Sequence, residues 1–533
     1  MKLATRRILA LIGAVGTVSS IAAVTALPSQ AAELTPEQQA VHVLNRLGYG
    51  PKPGDIQRVQ QMGVDRYIQQ QLNPSSLPLP ASLNSRLKAL DVQDESAGQV
   101  LYEYQAALKL TKDDSDEAKK KRRELIGRIV EQTAEARIAR AIDSPRQLEE
   151  VMVDFWFNHF NVFSGKGLDR ALVASYERDA IRPYVFGNFR DLLGATAKHP
   201  AMLFYLDNWL STSADYQPRG FRRNAAQGVK AKANGLNENF AREVMELHTL
   251  GVDGGYTQKD VTELARMLTG WTFEPRDLIR NNRTFQFDAD RHDNGSKEWM
   301  GRHINAQGQR EGEFALDVLA MHPATAHHLS YQLAQYFVQD NPPAALVDRM
   351  SKRYLESGGN IRAVLETLFK SPEFMDDSVL AAKYKTPYQF VISAARAAEM
   401  PVTNIRPLLG TLSQLGMPLY GCQTPDGYKN TEAAWMNPDA LTRRINFATA
   451  MATGRLPLNK AVDEGDKMGK RQLEKQADGP DKPNAQAMPP LNSQNLMAAL
   501  GTVISTRTRD VIANNPEALR AAMLLGSPDF MQH

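Results

Sequence analysis

Asn237-Glu238-Asn239-Phe240-Ala241-Arg242-Glu243-Val244-Met245-Glu246-Leu247-His248-Thr249-Leu250-Gly251 reads as one capped amphipathic helix. Asn237 is a good N-cap and Gly251 a good stop. Phe240, Val244 and Leu247 form an apolar stripe, while Asn239, Glu243 and Glu246 share another face. Carboxylates at i, i+3 are close enough to split their pKa values, or to share a divalent cation, if the site is dry. In water they only repel mildly. His248 falls four residues after Val244, toward the apolar side.

Downstream, a second helix runs from a Thr257 cap to Gly270 with Val261, Leu264, Ala265 and Leu268 on its apolar face. Asp260, Glu263 and Arg266 remain for ion pairs or a site, and Trp271 follows. Upstream, residues 145–163 read as a largely apolar helix carrying Met152, Phe155, Trp156, His159, Phe160 and Phe163. Asp154, Asn158 and Asn161 fall at i, i+4, i+7 and line one face, which must meet water or be satisfied inside. Ser144-Pro145-Arg146-Gln147 has the composition of a capping box.

The helical reading extends over most of the chain. Residues 36–47 and 53–72 form two amphipathic helices around Gly48-Tyr49-Gly50-Pro51, and 97–142 is dominated by helix formers. The basic run Lys119 to Arg123 follows Asp113, Asp114, Asp116 and Glu117, so it reads as a solvated tip rather than a polyanion patch. Ser-Pro and His-Pro pairs at 144, 199, 322, 371 and 527 recur as one helix-to-helix joint. Strand signals are sparse. Thr284-Phe285-Gln286-Phe287 alternates, and Trp299 to Ile304 is expected to pair back on it as a small hairpin. In that stretch His292-Asp293 with Lys297 makes a compact acid–base group on a loop.

The expected class is all-α, a large multi-helix assembly with at most a small β-hairpin insertion. Its expected divisions are a signal peptide at 1–31, helical regions at 32–142, 143–283 and 311–454, an insertion at 284–310, a flexible polar tract at 455–492 and terminal helices at 493–533.

The 533 residues include 63 Lys+Arg, 60 Asp+Glu and one Cys. Lys2, Arg6 and Arg7 precede an uncharged stretch, Ile8 to Leu27, and Ser29-Gln30-Ala31 supplies a cleavage site, so the first 31 residues read as an export signal. Thr5-Arg6-Arg7-Ile8-Leu9 resembles a twin-arginine signal, although Ala10 stands where lysine is usual; the general secretory route stays open. Without those three cations the charge balances, which argues against a nucleic-acid binder. The expected address is periplasmic or secreted, with no stable transmembrane anchor after signal removal. A single cysteine, Cys422, excludes an internal disulfide and any Cys-x-x-Cys site, and reads as an ordinary buried thiol. No nucleophile elbow, His-Glu-x-x-His or phosphate-binding glycine loop occurs.

Several runs together resemble the large bacterial family catalogued as domain of unknown function 1800. They are Arg46 to Pro51, Phe155 to Phe160, Asn188 to Leu193, Pro200 to Leu203, Asn237 to Gly251, Gly255 to Thr257, Ala265 to Trp271, Pro323 to Ala326 and Pro425-Asp426-Gly427-Tyr428. The resemblance implies an exported protein and a partner, since such genes commonly neighbour one for a sulfatase- or phosphatase-like exported protein. It carries no activity with it.

Two functions remain open at this point. One is an extracytoplasmic hydrolytic enzyme acting on an envelope or extracellular polymer. Asp154, His159, Glu243 and Glu246 are its candidate catalytic residues, one glutamate acting as general base or cation ligand. Asn158, Asn239, Arg242, His248, Arg266, Trp271, His292 and Asp293 are candidate binding residues, with Arg242 or Arg266 holding an anionic group. The other is a non-catalytic binding or assembly partner of the co-encoded protein. The enzyme reading requires the polar stripes of 145–163 and 237–250 to face one shared concavity.

Overall fold

A computed structural model describes residues 34–217, 235–459 and 488–533. The expected export signal and most of the 455–492 tract lie outside the described residues. Among them, strand is confined to four segments of two or three residues, and helices supply the framework, so the fold is all-α. Six helices carry the candidate residues and their neighbours: α1 (Asp116–Asp143), α2 (Gln147–His159), α3 (Glu238–Met245), α4 (Gln258–Met267), α5 (Pro323–Phe337) and α6 (Pro438–Ala452).

Local chemistry sets most boundaries. The stretch expected as one helix at 53–72 is two, Asp55–Met62 and Val64–Leu72, because Gly63 sits at φ 86° and breaks the ladder. The repeated joints share one device: the side chains of His199, His322, Ser371 and Ser527 each accept a backbone N–H just beyond the proline. Ser144 departs from the expected capping box. Its hydroxyl accepts from Arg146 N, while Gln147 turns away to accept from Tyr49 N and donate to Ala141 O. That side chain therefore ties α2 to the Gly48-Tyr49-Gly50 turn instead of capping its own helix.

The strands also differ from expectation. β1 (Trp271–Thr272) pairs antiparallel with β2 (Gln286–Phe287), and β3 (Lys297–Trp299) pairs with β4 (Arg302–Ile304), so there are two miniature sheets. Met300 and Gly301 both take positive φ, the geometry of a two-residue hairpin turn, so 297–304 folds on itself. Gln286–Phe287 is left to pair with the segment after α4.

One apolar core runs from Ala40 to Met531, with Trp156, Trp271 and Trp299 fully buried in it. The charged start of α1 is largely exposed, as its composition implies. Among the described residues no helix is long and apolar enough to cross a membrane.

Candidate functional site

A cavity of ≈ 300 Å³ opens between α2, the C-terminal turn of α3, α5 and the segment 417–430. Asp154, Asn158 and His159 reach it from α2, and Glu246 from the Asn237–Gly251 helix. One member of the Asn239, Glu243 and Glu246 stripe, Glu246, therefore shares a concavity with Asp154 and Asn158 of the α2 stripe, while Glu243, Asn239 and Asn161 do not line it. His328 and Gln332 enter from α5, Asp426 and Tyr428 from the far segment, and Phe155, Tyr336 and Met417 supply apolar wall. At the rim, Val252, Asp426 and Lys429 are exposed.

The Asn237–Gly251 helix changes pitch where it meets the cavity. Asn237 caps it through Asn239 N and Phe240 N, and after Met245 it widens into a π turn, Glu246–Leu250, with Gly251 N donating to Glu246 O. The Thr249 hydroxyl donates to Val244 O and takes up a carbonyl that the wide turn frees. Such turns cluster at functional sites because they re-aim side chains within a continuous helix. Here Leu247 joins Glu246 on the cavity wall, and His248 goes into the core. The Tyr256 hydroxyl donates to Glu246 Oε2 at 2.7 Å and fixes that carboxylate.

Glu243, one turn before Glu246, is half-buried. Burial, then the Glu246 and Asp426 carboxylates, push its carboxyl up to about 7 against the pull of Arg242. Asp426 goes the other way. Burial raises it, but bonds from Lys429 at 2.7 Å and from Thr424 outweigh that and hold it below the usual carboxylate range. Two neighbouring carboxyls whose surroundings drive them apart are a matched acid and base.

The loop bearing Asp426 is held by α2. Asn158 Nδ2 donates to Tyr428 O and its Oδ1 accepts from Tyr428 N, while Asn161 Nδ2 donates to Cys422 O and Thr424 O. Cys422 itself is the expected buried free thiol.

His159 is neutral: burial, then neighbouring His328, push its imidazole down to about 3. A carbonyl can only accept, so His159 Nε2 carries the proton and donates to His248 O at 3.2 Å. Gln332 Oε1 lies 2.9 Å from Nδ1, and with Nε2 protonated that contact becomes a hydrogen bond once the amide turns its nitrogen to the ring. His248 is also neutral and buried, pushed down to about 3 by burial and His159.

Asp154 is half-buried and paired with Arg137, which also bonds Glu177; Arg182 continues the chain to Glu177 and Glu150. Burial pushes the Asp154 carboxyl up and Arg137 pulls against it. Its role is to fix the cavity floor, since its charge is already committed.

The remaining candidates lie off the cavity. Asn239 is exposed, and Arg242 donates to Gln258 at 2.7 Å. Arg266 holds Asp293 through two bonds of 2.9 and 3.0 Å and also bonds Glu263, which leaves it no free face for an anion. His292 is buried against Glu311 with Lys297, an internal lock for the loop before β3. Trp271 is fully buried core. Among the described residues no three His, Cys, Asp or Glu side chains converge as a metal site requires, so a divalent cation on Glu243 and Glu246 would draw its other ligands from elsewhere.

Sequence reading missed Asp426, His328 and Arg137 as parts of this site. Pro425-Asp426-Gly427-Tyr428 was visible as a motif, but nothing local tied it to α2, 270 residues away.

Fold and cavity together define an all-helical protein with an acid-lined cleft built from five separate stretches of chain, the fifth contributing Thr386. A family described as "Protein of unknown function (DUF1800)" matches residues 42–532, nearly the whole chain, and the protein belongs to that family. No curated protein and no solved structure matches it.

Proposed function

We propose that the chain is exported and acts as a hydrolase on a polymer of the envelope or extracellular space. The observation that carries this reading is the shared cavity, where Glu246 and the α2 stripe meet Asp426 beside Glu243. Glu243 keeps its proton near neutral pH and serves as general acid, and ionised Asp426 serves as base toward water. The exposed rim and aromatic wall suit an extended chain rather than an enclosed metabolite.

The mature protein, incubated with envelope and extracellular polymer from its host, should release soluble fragments. Glu243→Gln and Asp426→Asn should each lower the rate by about 100-fold or more, the usual range for a general acid or base. Equal release by folded variants and wild type would sink the assignment. Export is tested by fractionation: Arg6→Lys with Arg7→Lys should trap the protein in the cytoplasm if the twin-arginine route carries it.

A second reading, an assembly partner of the neighbouring sulfatase- or phosphatase-like protein, is favoured by one observation. Met436, Leu441 and Ile445 are 58%, 41% and 44% exposed, and the last two lie one turn apart on α6. Co-purification lost in Leu441→Glu with Ile445→Glu, together with no polymer release, would put this reading first.

A further inference from the structure

We propose that the cavity takes a hydroxyl-rich, uncharged glycan and that the bond cut is glycosidic. This rests on the hydrolytic reading above and names its substrate.

The first argument is what the cavity offers. It offers strong acceptors. Glu246 and Asp426 present carboxylates. His328 donates one ring nitrogen to Leu247 O, and its Nε2, shielded from bulk water on the cavity wall, has no partner in the protein. That Nε2 is closed off from the open cavity and adds no donor to it. Three donors of the lining are bonded within the protein, Asn158 Nδ2 to Tyr428 O, Gln335 Nε2 to Asp340 O and the Tyr428 hydroxyl to Pro418 O, and the rim ammonium of Lys429 is drawn to Asp426. A site of acceptors fits a ligand of donors, and a sugar's hydroxyls supply them. The rings of Phe155 and Tyr336 offer an apolar face for a sugar's C–H side.

The second argument is the sign of charge in the transition state. Ester, amide and phosphoryl transfer build negative charge on oxygen and need donors or cations there. The Glu246 and Asp426 carboxylates, with Lys429 already bonded to Asp426, would oppose that. Glycosyl transfer builds positive charge on the sugar ring, which carboxylates stabilise. The same charges disfavour uronic acids and phosphate- or sulfate-bearing chains.

The step balances without a redox partner. The Glu243 carboxyl gives its proton to the glycosidic oxygen as the C1–O bond breaks and that bond's electron pair stays on the leaving oxygen, which departs as an alcohol. Water forms the new bond to C1 and yields a proton to the Asp426 carboxylate.

The test uses the mature full chain and host polymer split by anion exchange into neutral and anionic fractions. New reducing ends, amines and phosphate are assayed separately. Reducing ends should rise in the neutral fraction only, and at least 100-fold more slowly with Glu243→Gln. Glu246→Gln should weaken retention of neutral glycan on immobilised protein at least fivefold. Amines or phosphate in place of reducing ends, or reducing ends from the anionic fraction alone, would overturn the glycan assignment while leaving a hydrolase. No product, with neutral glycan still retained, would overturn the cleavage but keep the ligand; no product and no retention would overturn both.

Discussion

Asn158 and Tyr428, 270 residues apart, exchange two hydrogen bonds in which the amide side chain takes the place of a neighbouring β-strand's backbone. Asn158→Ala leaves both backbone groups of Tyr428 without these partners. Removing the pair should cost about 1–3 kcal/mol. Urea unfolding measures that cost, and limited proteolysis should find new cleavage between 417 and 430. Unchanged stability would mean that the loop holds itself.

Gly427 makes that approach possible. It sits at φ 67°, and a Cβ there would meet Asn158 O at 2.3 Å. Gly416 has φ 81° with nothing within 4 Å of its Cβ position. Alanine at 416 should therefore show only the left-handed strain, about 1–2 kcal/mol, and alanine at 427 clearly more, because backbone must also move. Thermal denaturation of both variants at one pH compares them directly, and an equal loss would refute the close contact.

Glu243 links the site to pH. Its folded pKa of about 7 stands above the ordinary 4.5, so between those values the folded state keeps a proton that the unfolded state has released. Stability then falls as pH rises through that window, and the loss is complete above about 7. Glu243→Gln removes this dependence. The Tm of the variant minus that of wild type should grow from pH 4.5 to 7 and level off beyond. In activity, kcat/KM should decline above about pH 7 as the acid loses its proton. A difference in Tm that stays flat with pH would show that the carboxyl is not strained.

Arg137 holds two carboxylates at once, and the rings of Phe157, Tyr388 and Tyr420 lie 5.1–5.5 Å from its guanidinium. Arg137→Met strands Asp154, while Glu177 keeps Arg182 and the Tyr420 hydroxyl, at a cost of about 3–5 kcal/mol. Adding Asp154→Leu should recover part of that loss, since the stranded charge disappears. A double-mutant cycle in urea checks the coupling, and strict additivity would refute it.

How much of this was legible depends on distance along the chain. The i, i+3 and i, i+4 spacings placed Glu243 with Glu246 and Asp154 with Asn158, because a helix dictates its own faces. What the Asp154 stripe met was not legible. Its partners Arg137 and Tyr428 come from other stretches, and no periodicity reports a tertiary contact. The His292-Asp293 group was a genuine cluster read with the wrong weight. Its partner Glu311, 19 residues on from His292, is what makes it an internal lock instead of a reactive loop. The hairpin was misjudged because nothing local marked Trp271–Thr272 as the partner of Gln286–Phe287, while the Met300-Gly301 turn closes 297–304 on itself.

Counted in residues, the wide turn at Glu246–Leu250 holds one more than an α turn would, since its closing bond runs from Gly251 back to Glu246. A single-codon deletion there would let the helix close normally, and everything before it would rotate by about 100° relative to the chain beyond Gly251. Glu246 would leave the cavity, and Glu243 its place beside it, while the core could stay folded. Descendants of one ancestral gene can thus gain or lose this chemistry by one insertion or deletion, so helix length between Asn237 and Gly251 offers a way to sort relatives that keep the acid-lined cleft from those that keep only the fold.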